Sequence, residues 1–312
     1  MPPFAGEPSS WEHHTTFVSD GVKLHYVDVP PSGGKDKGNG HTLVLIHGYP
    51  ETWYSWRHVI QPFADLGYRV IVPDYRGAGD SNKPNGGYDK MTMAQDIHTL
   101  YTEKLGIEKA VVVGYDVGFQ VAVPLLLQFP EAVEAAVVFE APIPGTKAFD
   151  VATQDPDSAF HRLFHFFFHN APDNLAEKLT EGKEREYLSH FYDRLSYDPT
   201  FLTQADVDVY ARHFSKAGGM RAGFEVYRAY LQDKDDLREW LKTKGKVSSS
   251  LPVLATAGEA SGFKEMMEDQ CKEFAENVEF EAIPRANHWI PEEQPEAFVQ
   301  LVKRFLEKHG LA

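Results

Sequence analysis

One cysteine, Cys271, stands in a chain of 312 residues. That rules out an intrachain disulfide framework and every multi-cysteine metal site. Long apolar runs are also missing. None nears the roughly 18 to 20 residues that cross a bilayer, so no membrane span is expected. Basic residues are scarce: 31 against 46 acidic ones leave a formal net charge of −15. Phosphate binding needs a basic surface, which excludes nucleic acid as the main partner. The opening MPPFAGEPSS has neither a basic n-region nor an apolar h-region, so no secretory leader is expected. No fixed-period repeat is present. No G-x-S-x-G occurs either, which weighs against an ordinary serine esterase, lipase or thioesterase. With 42% hydrophobic and 25% charged residues, the chain is globular rather than disordered. A cytoplasmic monomer or homodimer is expected, with a neutral, apolar small ligand.

Asp20-Gly21 is a two-residue hairpin turn between TTFVS (15–19) and VKLHYVDV (22–29). PPSGGKDKGNG (30–40) reads as a surface loop. Short apolar runs follow: LVLI (43–46), VIVP (70–73), AVVVG (110–114), AAVVF (135–139) and PVLATA (252–257). Continuous runs of this kind belong to strands of a parallel sheet buried on both faces. VEFEAI (278–283) alternates and belongs near an edge. Phe298, Leu301, Val302, Phe305 and Leu306 repeat at helical spacing, with Gly310 as a stop. The prediction is an α/β fold with about eight strands, the first pair antiparallel and the rest mostly parallel.

Between about 145 and 250 the strand rhythm stops. FHRLFHFFFHN (160–170), NLAEKLTEGKEREYLSHFYDRL (174–195), DVDVYARHFSKAG (206–218) and FEVYRAYLQD (224–233) read as helical. About a hundred residues are too many for a loop. The organisation expected is a core of 1–144 and 251–312 with a helical cap, 145–250, over the carboxyl edge of the sheet, where open α/β folds bind ligands.

Gly114-Tyr115-Asp116-Val117-Gly118 follows a strand and opens a helix-like segment. This is the layout of a nucleophile elbow with aspartate where serine is usual. A carboxylate there can attack an electrophilic carbon and form an ester, and the helix N-terminus beside it is expected to keep it ionised. His47-Gly48-Tyr49-Pro50 follows the strand LVLI. The loop at that place supplies one oxyanion-hole N–H and the residue after the nucleophile the other. These are Tyr49 and Val117; His47 reads as structural.

HGYPETWYSWR (47–57), DYRGAGDSNKP (74–84), GYDVG (114–118), FEAPIPG (139–145) and NHWIPEEQPE (287–296), in this order, resemble the α/β-hydrolase superfamily. Within it they resemble the branch of epoxide hydrolases and haloalkane dehalogenases, which uses an aspartate nucleophile. The resemblance implies an eight-stranded, mostly parallel sheet and a catalytic histidine at His288, between the last strand and the last helix. It implies a triad acid at Glu140 or at Glu259, with the FEAPIP context favouring Glu140. It further implies two lid donors to an epoxide oxygen. Tyr227 in FEVYRAY matches the second. FHFFFHNAPDNLAEKL resembles a subgroup with histidine as the first, at His165, and His161 and His169 offer alternative registers.

Those three histidines are four apart and share a face if their segment is one helix. No further ligand pattern completes a metal site, and no metal or cofactor is expected. Where haloalkane dehalogenases carry halide donors this chain has Val117 and Tyr49. Where fluoroacetate dehalogenases carry arginines it has Val117, Phe119 and Gln120. The function expected is hydrolysis of an apolar epoxide to a vicinal diol through an ester on Asp116. A dehalogenase with the same nucleophile is the alternative. A non-catalytic ligand-binding protein is the alternative of another class, and the set Asp116, Glu140 and His288 argues against it.

Overall fold

A computed structural model describes residues 6–312, so half of MPPFAGEPSS, and with it half of the leader reading, lies outside the described residues. Eight strands form one sheet: β1 (Glu12–Ser19), β2 (Val22–Val29), β3 (Thr42–Ile46), β4 (Arg69–Pro73), β5 (Ala110–Tyr115), β6 (Val133–Phe139), β7 (Val253–Gly258) and β8 (Val278–Ile283). Their order is β1-β2-β4-β3-β5-β6-β7-β8. Each apolar run is a strand, and VEFEAI is the edge strand β8. The first pair is antiparallel, but so is β2 with β4; parallel pairing begins at β4 with β3. The chain reaches β4 only after passing through β3, so β2 meets a strand running the other way.

Helices α1 (Arg57–Asp65), α2 (Lys90–Thr99) and α3 (Val117–Gln128) lie between the early strands. The insertion between β6 and β7 is built of helices, apart from one isolated bridge, Val247 with Ala275. It holds α4 (Lys147–Gln154), α5 (Phe164–Phe168), α6 (Leu175–Thr180), α7 (Glu184–Arg194), α8 (Gln204–Phe214), α9 (Gly219–Arg228) and α10 (Tyr230–Thr243). Helices α11 (Lys264–Phe274), α12 (Ile290–Glu293) and α13 (Pro295–Lys308) complete the chain. All five apolar residues expected on the last helix are buried. Among the described residues no helix is long and apolar enough to cross a membrane.

The helical stretches are subdivided in the structure. The stretch 174–195 is two helices, because Gly182 adopts φ +73 between them. The stretch 224–233 spans the junction of α9 and α10. The segment holding His161, His165 and His169 is not one helix: Leu163 (φ −110, ψ 16) divides a π-turn, Ser158–Arg162, from α5. His161 is exposed, whereas His165 and His169 are buried. The three do not share a face.

Hydrogen bonds tie the insertion to the loops at the carboxyl ends of the strands. Tyr192 donates to the Pro50 carbonyl at 2.6 Å, and Tyr54 donates to Asp206 at 2.8 Å. The His288 N–H donates to the Leu195 carbonyl at 3.1 Å. DYRGAGDS anchors the same region from below. Buried Asp74 accepts from the Trp53 N–H at 2.8 Å and pairs with His25 at 2.7 Å. It thereby fixes the loop that carries Tyr49.

Candidate active site

Asp116 sits between the last residue of β5 and the first of α3, at φ 52 and ψ −122. An L-residue rarely adopts positive φ, and holding one there costs on the order of 1–3 kcal/mol. Glycine neighbours make the turn possible. A Cβ on Gly118 would lie 2.0 Å from the Ile46 carbonyl oxygen, and one on Gly48 would lie 2.5 Å from the Asp116 Cβ. The loop after β3 therefore runs directly against the carboxylate.

The Tyr49 N–H donates to Asp116 Oδ1 at 2.7 Å, and the Val117 N–H also serves the carboxylate. The two donors expected to hold an oxyanion thus converge on Asp116. Desolvation pushes its carboxyl up, while His288 and these two N–H groups pull it down. The balance remains above the ordinary carboxyl value. The partial backbone charges at the helix N-terminus only part-offset the loss of water.

His288 follows β8 and is buried, 4% exposed. Its Nε2 lies 3.7 Å from Asp116 Oδ2 and its Nδ1 lies 3.1 Å from Glu140 Oε2. Burial works against protonation of the imidazole. The Glu140 hydrogen bond and the Asp116 and Glu140 charges outweigh it, so the histidine titrates above its usual value.

Glu140 directly follows β6, also at positive φ (65), and is fully buried. It accepts from the Gly258 N–H at 2.9 Å and from Ser261 Oγ at 2.7 Å. These donors, with His288, meet the desolvation cost of a carboxylate in the core. Glu259 is exposed, and its N–H pairs with the Ile283 carbonyl. Of the two candidate acids, only Glu140 reaches His288. Ser261 was not singled out from sequence, although it lies two residues past the alternative acid.

Tyr227, on α9, is buried and stands edge-on to Tyr49 and to His165, each with ring centroids 5.3 Å away. Burial and the nearby Asp116 charge hold its phenol well above the usual value, so it keeps its proton. His165, on α5, is 7% exposed and its Nδ1 has no hydrogen-bond partner. Burial, then the Arg194 and His288 charges, push it well below the ordinary imidazole value. It is neutral near pH 7, with one N–H to donate. His169 is committed elsewhere, 2.6 Å from the Tyr187 hydroxyl. His47 is buried, stacked on Tyr75, with Nδ1 2.7 Å from the Gly48 carbonyl.

A cavity of about 460 Å³ opens onto Asp116, His288, His165 and Tyr49. Phe166, Phe191, Leu163 and Phe263 give it apolar walls. Tyr115, beside the nucleophile, is buried with its ring stacked on Phe139 and tilted toward His288. It therefore packs beneath the site. One buried acid was not foreseen. Glu51 lies next to Glu292, and burial with that second carboxyl pushes it well above the ordinary range. Its partner stands 241 residues away, beyond the reach of any local pattern.

Known proteins resemble this chain over nearly its whole length. The pattern of the alpha/beta hydrolase fold matches residues 41–295. The soluble epoxide hydrolase of Corynebacterium sp. (strain C12) is 34% identical over 94% of this chain and 96% of its own length. The solved structure of Cfl2 from Burkholderia cenocepacia superposes with a TM-score of 0.87 at 36% identity, covering 96% of this chain and 97% of the other. The epoxide hydrolase CorEH superposes with a TM-score of 0.83 at 32% identity, covering 96% and 99%.

Proposed function

Since the chain belongs to the alpha/beta hydrolase fold family, we propose that it is an epoxide hydrolase working through a covalent ester on Asp116. The observation that carries the reading is the aspartate in the elbow: two backbone N–H groups reach its carboxylate, and His288 stands 3.7 Å away. An Asp116 oxygen attacks an epoxide carbon, the C–O bond opposite it breaks, and the ring oxygen takes up the negative charge. Tyr227 and His165 donate hydrogen bonds to that oxygen. Tyr227 keeps its proton until then and His165 is neutral, so both are donors rather than competing anions or cations. His288, oriented by Glu140, then takes a proton from water. The hydroxide attacks the ester carbonyl, and the tetrahedral oxyanion falls between the Tyr49 and Val117 N–H groups. A lid donor passes its proton to the ring oxygen, the proton that His288 took from water restores that donor through solvent, and the vicinal diol leaves with Asp116 regenerated as a carboxylate. The helical insertion acts as a cap that supplies the two lid donors and the apolar walls.

The test is the product. Purified protein given styrene oxide should release the diol, while haloalkanes and fluoroacetate should release no halide. Halide release without diol formation would replace this reading with a dehalogenase. Tight ligand binding with neither product would leave a binding protein. The pH profile adds a second check. His288 must be neutral to take a proton, so kcat falls as pH drops through its midpoint. In the free enzyme that midpoint lies above the ordinary value because Asp116 and Glu140 lift it. Esterification removes the Asp116 charge. The acid limb of kcat should therefore fall below the midpoint at which His288 titrates in the free enzyme by NMR.

The choice of triad acid is tested separately. Glu140→Gln should lower kcat by about 10⁴-fold, the scale seen when the orienting carboxylate of a triad is neutralised. Glu259→Gln should leave the rate within about twofold, because an exposed carboxylate remote from the imidazole orients nothing. Equal losses in the two variants would return Glu259 to consideration.

A further inference from the structure

The cavity above Asp116 carries an unexpected charge distribution. Among the described residues, the groups on its walls that are charged at every pH near neutrality are, besides Asp116, two arginines, Arg162 and Arg194, in a chain of net charge −15. Arg162 comes from the turn before α5 and Arg194 from the end of α7. Among the described residues no ion pair with a carboxylate joins either; Arg185, Arg228 and Arg238 of the same insertion each have one, while Arg221, away from the cavity, is likewise held by carbonyls.

Both are held in place by carbonyls, which orient a guanidinium without neutralising it. Arg162 Nη1 donates to the Gly262 carbonyl at 3.2 Å. Arg194 Nη2 donates to the Arg162 carbonyl at 3.1 Å. Gly262 is what lets Arg162 lie across to the loop after β7, since a Cβ there would stand 2.3 Å from Nη1. The Arg194 guanidinium lies over the Phe164 ring at 5.5 Å, and its buried Nε has no acceptor. The other titratable groups near them are His161, which is paired with Asp157, His190, His165 and His288, together with the Asp193 carboxylate next to Arg194 in the chain. Arg162 is exposed and Arg194 half-buried, so water serves much of both guanidiniums, while the buried Arg194 Nε and the outward N–H groups are placed for an anion that enters the cavity.

We infer that the substrate is an epoxide with an apolar body and a carboxylate at its far end, bound by Arg162 and Arg194 while the oxirane sits at Asp116. This rests on the epoxide hydrolase reading and refines the wholly neutral ligand expected from composition. Binding energy from the remote carboxylate positions the reacting carbon, as remote contacts do in other enzymes.

The test uses matched probes: the terminal epoxide of undecenoic acid, its methyl ester, and styrene oxide. Wild type should turn over the acid with a kcat/KM at least about tenfold above that of the ester, the scale of a charge-assisted hydrogen bond. Added salt should erode that preference. The R162Q/R194Q double variant should lose it through KM, with ester and styrene oxide rates unchanged; those rates also report that the variant folds. Equal turnover of acid and ester, or a preference that survives in the double variant, overturns the inference. So does a parallel fall on all three probes, because arginines that only keep His165 neutral would affect every epoxide alike. Calorimetric titration with undecanoate, which has no epoxide, separates the two levels of argument. If no probe yields diol, the epoxide hydrolase reading fails. Arginine-dependent undecanoate binding then still upholds the anion site, and its absence removes that site as well.

Discussion

His288→Gln will accumulate a covalent adduct on Asp116 when the protein meets styrene oxide. The first half-reaction needs only the carboxylate and the lid donors, none of which the substitution touches. The second needs a base, and glutamine cannot accept a proton from water at neutral pH. Steady-state turnover should fall by about 10²–10⁴-fold, the usual contribution of a general base. Intact mass should rise by the whole mass of the epoxide, because ring opening expels no leaving group. A haloalkane, by contrast, would add its mass less hydrogen halide. The Glu140 side would tolerate the change, since the glutamine amide can still donate to a carboxylate. Absence of adduct with a reactive epoxide, in a variant that still makes diol, would sink the two-step scheme.

Asp116→Asn should abolish turnover, a fall of at least about 10⁴-fold, as expected when a covalent nucleophile is lost. It should also yield no adduct in any His288 background. The amide is nearly isosteric and keeps an oxygen to accept the Tyr49 N–H, so the variant should fold. Asp116→Ala should behave alike in activity, though alanine at φ 52 carries the strain of that conformation without a carboxylate held by two N–H groups. Thermal unfolding of both variants tells a chemical loss from a structural one. Diol formation by either variant would remove the carboxylate from the role of nucleophile.

Much of this architecture is legible in one sequence for a simple reason. Strands buried on both faces must be uniformly apolar, and runs such as AVVVG and AAVVF admit few other readings. The elbow is equally plain, since a side chain at Gly118 would strike the Ile46 carbonyl and one at Gly48 would strike Asp116 itself. What stays hidden lacks a local period. Strand β1 begins at Glu12 rather than Thr15 because an edge strand can carry EHHT on a half-exposed surface. Helix α4 was not foreseen, because only Phe149 and Ala152 are buried along it. The break at Leu163 and the role of Ser261 depend on what packs against them. Arg162 and Arg194 look like ordinary surface charge until the turn before α5 and the end of α7 come together.

The path of the chain through the sheet also bears on how the protein acquires its activity. Strands β6 and β7 are neighbours, with Ala136 beside Val253, yet the whole helical insertion separates them. Closing that loop costs only about 2 kcal/mol more in entropy than closing a short crossover. In time the separation weighs more, because distant pairings form late. Glu140 precedes the insertion, whereas Gly258, Ser261 and His288 all follow it. The triad is thus a product of the last joining of the sheet. A nascent or refolding chain can hold β3, β5 and the aspartate elbow in place while it still has no working base.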